Sequence, residues 1–135
     1  MNYTAFMEYF NQNDIFSLKN HMKIVKMEEG YAEAELDYKP VHSNFMGTLH
    51  GGALSALADV AAGTSIISFG KNCVTLNANI SYIKKAQPGK IRAIARAVNC
   101  SRHIGSTEVR IYDEENTLVC FCSYSMYITD QDAIF

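Results

Sequence analysis

Between Gly47 and Ser65 the chain reads GTLHGGALSALADVAAGTS, a stretch that holds two groups able to do chemistry. Asp59 is a lone acid among small and apolar residues, with no Lys or Arg within one helical turn to pair with it. An ionised carboxylate in such a run is costly unless it is hydrogen-bonded or faces a polar cavity. Facing a cleft, it is a general base or a nucleophile. At a helix edge, or bonded to backbone across an interface, it is only structural. Upstream lies His50-Gly51-Gly52. If a helix begins there, its first N–H groups lack partners and carry the positive end of the helix dipole. Glycine lets a ligand approach them, and such an N–H stabilises the oxyanion of acyl transfer. The simpler use of the pair is a tight loop-to-helix entry. Gly51 and Asp59 would lie about 12 Å apart along one helix, too far to act on the same carbonyl. The spacing therefore predicts a dimer in which the acid of one chain meets the glycines of another.

The elements that must hold these groups can be read from periodicity. Tyr3, Phe6, Met7 and Phe10 fall at helical spacing and end in the polar run Asn11-Gln12-Asn13-Asp14, giving a short helix docked on the core or closing over a pocket. His21–Met27 and Tyr31–Tyr38 form a hairpin. In its second strand Ala32, Ala34 and Leu36 alternate with Glu33, Glu35 and Asp37, so one face is wet. Pro40 ends it, and Val41–Leu49 reads as a loop. A helix from Gly51 to Phe69 follows, with Gly70 as its stop. Its apolar residues spread around the axis, which predicts enclosure nearly all round. Four strands remain. In the first, Val74, Leu76, Ala78, Ile80 and Tyr82 oppose Thr75, Asn77, Asn79 and Ser81; then come Ile91–Asn99, Thr107–Ile111 and Leu118–Ile128. The order implies an α+β chain, one antiparallel sheet of five to six strands wrapped around one central helix.

Composition narrows the function. The chain has 135 residues, enough for one domain over 1–135, and a formal charge of −2 that offers nucleic acid no basic stripe. The four cysteines lack zinc-site spacing, and the start carries no basic-then-apolar leader; buried thiols in a cytoplasmic protein are the expectation. His42 and His50 do not have metal-site spacing relative to Asp59, so no metal is expected. The helical stretch after Gly51 is short for a bilayer and has Asp59 at its centre, so no membrane span is expected. A serine esterase is excluded, because no G-x-S-x-G elbow exists.

His42-Ser-Asn44-Phe-Met-Gly47-Thr-Leu-His50-Gly51-Gly52, followed by Leu57-Ala58-Asp59, resembles the signature of hotdog-fold acyl-CoA thioesterases of the phenylacetate-pathway and thioesterase-superfamily-member-2 type. The likeness continues through Val74–Ile80, Pro88-Gly89 and the later strands, from about residue 40 to 128. It implies a hotdog fold and hydrolysis of acyl-CoA to acid and coenzyme A, with no cofactor. By the same resemblance, Asp59 activates water or attacks the carbonyl itself, and the Gly51 N–H polarises the carbonyl oxygen. Asn44 helps to hold carbonyl or water, His50 shapes the loop, and Thr75 orients the water. Asp59 and Thr75 then belong to one subunit and Asn44 and Gly51 to its neighbour, in a homodimer or a homotetramer. Lys84, Lys85, Lys90, Arg102 and His103 are the candidates for holding coenzyme A phosphates. Two rival readings are a hotdog dehydratase or hydratase centred on His50, and a non-catalytic acyl-CoA-binding protein.

Overall fold

The first turn of α1 (Tyr3–Asn13) is capped by Asn2, whose side chain accepts from the Ala5 N–H at 3.0 Å. In the computed structural model, which describes all 135 residues, this helix does not give way directly to strand. A second, unexpected helix, α2 (Ile15–Lys19), follows, because the Asp14 carboxylate caps the Ser17 N–H at 3.1 Å. The polar residues read as an ending are thus a cap-to-cap junction. The expected hairpin follows as β1 (Met22–Glu28) and β2 (Tyr31–Asp37), turning at Gly30 with φ of 69°. Pro40–His42 makes one 3-10 turn in the loop that leads to α3 (Gly51–Ile67). Gly70, with φ of 97°, closes that helix as its position predicts. Strands β3 (Lys71–Tyr82), β4 (Lys90–Cys100), β5 (Ile104–Tyr112) and β6 (Leu118–Asp132) complete the chain.

All six strands form one sheet in the order β1-β2-β4-β5-β6-β3, every neighbouring pair antiparallel. The alternation read from sequence puts Ala32, Ala34 and Leu36 with Ile91, Ala93 and Ala95 on the inner face, all fully buried, and all but Ala32 share one core cluster with Leu57, Ala58, Ala61 and Ala62 of α3. The run of alanines lets the helix lie close to the sheet. Gly105 marks the tightest approach: a Cβ there would stand 2.9 Å from Ile66 side-chain carbons. Gly105→Ala is therefore expected to destabilise the fold by about 1–3 kcal/mol, read as a lowered denaturation midpoint at unchanged m-value.

Two expectations need correcting. α3 is not enclosed all round in this chain: Gly52 and Asp59 are exposed, because the sheet covers only one side of the helix. And β3 does not keep strict alternation. Thr75 pairs with Met126 while Asn77 pairs with Ser125, so Leu76 is an extra residue in the strand. That bulge shifts the phase. Thr75 joins Cys73, Ala78 and Ile80 on the side of Met126, Ile128, Tyr124 and Cys122, all buried, rather than the side of Asn77 and Asn79. β3 is also an open edge, with Val74 and Leu76 more than half exposed.

Candidate active site

Asp59 stands on the uncovered side of α3, and the bulge brings Thr75 to it. The Thr75 hydroxyl donates to Asp59 Oδ1 at 2.6 Å and lies 3.3 Å from Met126 Sδ. A charge-assisted bond this short fixes the carboxylate while leaving Oδ2 open. Both residues line a cleft of about 550 Å³ whose apolar wall includes Phe10, Phe16, Val60 and Ile67. The N-terminal helices thus supply one wall of the cleft through Phe10 and Phe16, while Phe6 docks α1 on the core against Ile24 and Met27. Phe16 and Met126 carried no signal in the sequence: Phe16 sits on the unforeseen α2, and Met126 reads as an ordinary inward strand residue.

Cys73 lines the same cleft, and burial, reinforced by the nearby Asp59 charge, pushes its thiol up to about 11. Only the thiolate is nucleophilic, so this group is inert at neutral pH. Alkylation of Cys73 by iodoacetamide, followed by mass spectrometry, is expected to be negligible at pH 7 and to quicken about tenfold per pH unit up to that value. On the sheet side, the Tyr124 hydroxyl donates to the Ser55 carbonyl at 3.2 Å, tying β6 to α3 one turn before Asp59.

The glycine end of α3 is a separate place. His50 is the N-cap, its Nδ1 accepting from the Gly52 N–H at 2.8 Å, so the neutral ring carries its proton on Nε2. The Gly51 N–H has no acceptor in the chain. A Cβ on Gly51 would meet the Tyr82 ring at 3.1 Å, so glycine is what allows this helix start to sit against β3. The loop before it is held by Asn44: its Oδ1 accepts from the Met46 and Thr48 N–H groups, and its Nδ2 donates to Thr48 Oγ1 at 2.9 Å. His42 is buried and committed, Nδ1 accepting from the Lys39 N–H and the other nitrogen bonded to the Asn20 carbonyl.

Gly51 opens on a cleft of about 380 Å³ shared with Tyr82, Lys84 and Lys85, and none of the residues lining the Asp59 cleft lines this one. Within one chain, then, the structure joins Asp59 to Thr75 and groups Gly51 with two of the lysines, but keeps the two sets apart. The five cationic candidates also divide. Lys90 begins β4 and pairs with Glu35 at 3.5 Å, whereas Arg102 and His103 follow the far end of that strand, about 30 Å away at some 3.3 Å per residue. His103 stacks on Tyr127 with centroids 5.8 Å apart. No helix is long and apolar enough to cross a membrane.

An antiparallel six-stranded sheet wrapped on one long helix, with a carboxylate on the helix and one free N–H, that of Gly51, at its start, is the hotdog architecture of thioester-handling proteins. The chain belongs to the thioesterase superfamily, whose family model matches residues 46–120, and it is a thioester hydrolase. It is 31% identical to the proofreading thioesterase EntH of Klebsiella pneumoniae over 107 residues, 76% of this chain and 78% of that one. A hypothetical thioesterase from Streptococcus pneumoniae, solved with coenzyme A, is 28% identical with a TM-score of 0.84, covering 94% of this chain and 99% of the other. PaaI of the E. coli phenylacetic acid degradation operon, 20% identical, has the same fold with a TM-score of 0.90 over 96% of this chain and 94% of its own.

Proposed function

We propose that the protein hydrolyses acyl-CoA thioesters at sites shared between two copies of one domain spanning residues 1–135. The observation that carries this is the Thr75–Asp59 pair, 2.6 Å apart in a cleft with an apolar wall, set apart from the only α3 N–H that lies open to a carbonyl, that of Gly51. Asp59 is the base for water or the nucleophile, Thr75 orients it, and Gly51 of the other copy receives the oxyanion. Asn44 acts chiefly by holding the Gly51 loop, and His50 by capping the helix. Support for coenzyme A as the thiol comes from the Streptococcus pneumoniae relative solved with it.

The edge strand supplies the means of pairing. Thr75 touches Asp59 near one end of β3, and Tyr82 packs on Gly51 at the other. If two β3 edges pair antiparallel about a two-fold axis near Ala78 and Asn79, Thr75 of one copy falls opposite Tyr82 of the other. That single operation brings Asp59 to the neighbour's Gly51 and covers an edge otherwise left open. Lys84 and Lys85 then stand at the mouth of the joint site, where coenzyme A phosphates would pass.

Mixing inactive Asp59→Asn and Asn44→Ala chains tests the sharing. Random pairing of two-site dimers is expected to restore about a quarter of wild-type thiol release. A mixture no more active than its parts would place both groups in one chain. His50 has its Nδ1 taken by the Gly52 N–H, so that nitrogen is committed to the helix cap, which favours hydrolysis over a dehydratase centred on that ring.

A further inference from the structure

Between β3 and β4 the chain passes through residues 83–89 without regular structure, and from this segment Lys84 and Lys85 line the Gly51 cleft. Lysine side chains are long and free to turn, so where their charges fall depends on how firmly the backbone beneath them is held. On the β3 side the Val119 carbonyl holds it, accepting from the Ile83 and Lys84 N–H groups at 2.9 and 3.3 Å. The N–H groups of Lys85 and Ala86 have no acceptor in the chain. The next backbone N–H to be tied is that of Gln87, and it donates to a side chain, Asp113 Oδ2, at 3.2 Å.

Asp113 opens the acidic turn Asp113-Glu114-Glu115-Asn116 that leads from β5 to β6. It is only 4% exposed, a rare setting for a carboxylate. Oδ1 accepts from the Glu115 and Thr117 N–H groups, both at 3.0 Å, and this folds the turn. Oδ2 reaches outside the turn, to Gln87. Burial works against the charge, yet the N–H groups of Gln87, Thr117 and Glu115 together hold the carboxyl below its usual range. A turn of this kind needs one oxygen. The second one has another use, and the segment that carries the two lysines provides it. The buried Ala86 seats that segment in the core, and Asp113 fixes the backbone beside it. Glu114 adds a tie further on, Oε2 accepting from the Lys90 N–H at 3.3 Å where β4 begins.

We infer that Asp113 is a positioning residue: by holding the Gln87 N–H it fixes the backbone that presents Lys84 and Lys85 to the Gly51 cleft, and so governs how the phosphorylated end of the thiol is held. Asp113 acts through the lysines and touches no substrate itself. The inference rests on the proposed hydrolysis of acyl-CoA, and it deepens that reading by naming what sets the grip on the thiol.

Asp113→Ala would strip the turn of all three bonds and test its folding instead, so the selective variant is Asp113→Asn. The amide oxygen keeps the Glu115 and Thr117 N–H groups, whereas the NH2 is a donor and cannot accept from Gln87. The acyl-CoA that the wild-type protein cleaves fastest is compared with the acyl-pantetheine of the same acid, which has the thioester but no phosphate. KM for the acyl-CoA is expected to rise about fivefold with kcat unchanged, the worth of two exposed lysine–phosphate contacts loosened. The acyl-pantetheine should be cleaved as by wild type. In a Lys84→Ala, Lys85→Ala background the substitution should change neither. Calorimetric titration with coenzyme A itself, which needs no turnover, should show the same loss of about fivefold. An Asp113→Asn chain that handles both thioesters equally worse, or both as wild type does, overturns the inference and leaves hydrolysis standing. So does an effect that persists without the lysines. If no thioester is cleaved yet coenzyme A binds in a way that depends on Asp113 and the lysines, the inference stands and the proposed hydrolysis falls. If no thioester is cleaved and coenzyme A binding is indifferent to Asp113, both fall.

Discussion

Asp59→Asn is expected to lower thiol release from acyl-CoA by about 10²–10⁴-fold, the range for removing a positioned general base. The amide has nearly the shape of the carboxylate and can still accept from the Thr75 hydroxyl, now 2.6 Å from Oδ1, so the cleft should keep its form. What it loses is the ability to take a proton from water or to attack a carbonyl. The fall should appear in kcat with little change in KM, since Asp59 acts on the reacting atoms rather than on the bulk of the substrate. Hydrolysis by Asp59→Asn at the wild-type rate would sink the role assigned here. A single turnover in ¹⁸O-labelled water separates the two routes. With Asp59 as base, the label enters the released acid directly. With Asp59 as nucleophile, an anhydride forms as coenzyme A leaves, and water attacking its aspartyl carbonyl leaves the label on the Asp59 carboxylate. Thr75→Ala should cost less, about tenfold, because it frees the carboxylate to rotate but leaves it present.

Breaking the β3 edge should be nearly as damaging although it touches neither Asp59 nor Thr75. Successive residues in an edge strand point their N–H groups to opposite sides, one into the ladder and one outward. Of Ala78→Pro and Asn79→Pro, one therefore removes an outward N–H and spares the pairing of β3 with β6. That variant is expected to fold, to sediment as a monomer, and to lose about 10²–10³ in rate, the value of an oxyanion donor no longer supplied by a neighbour. Circular dichroism and sedimentation velocity, run beside the thiol assay, separate this outcome from unfolding. A folded monomer with full activity would refute the shared site.

The two variants probe different levels of information, and the chain encodes them differently. Asp59 stands out because a charge among Ala, Leu and Val is rare enough to need a reason, and the glycine pair because backbone N–H groups at a helix start have few other uses. Both lie within one element, so local sequence carries them. Thr75 is the instructive case. Alternation alone places it with Asn77 and Asn79 on the far face, and only the extra residue at Leu76 turns it to Asp59. A bulge depends on how β3 registers against β6, more than forty positions later, so nothing in β3 itself announces it. α2 was hidden for a related reason: Ile15–Lys19 is too short for a periodicity to show, and its cap is a residue that reads equally well as a turn.

By itself, then, the sequence determined the order of the main elements, the inner faces of β2 and β4, the start and stop signals of α3 and the residue types at its two ends. These are matters of period, capping and residue type over a few neighbours, where short-range physics suffices. Only the tertiary structure decided which groups meet: Thr75 with Asp59 through a bulge, Phe16 with the same cleft through a helix that local signals missed, and Lys84 with Gly51 but not with Arg102. Distances between side chains on different elements are set by register, by close approaches such as Gly105 on Ile66, and by which strand is left at the edge. Each of those is a property of the packed whole, and no single segment contains it.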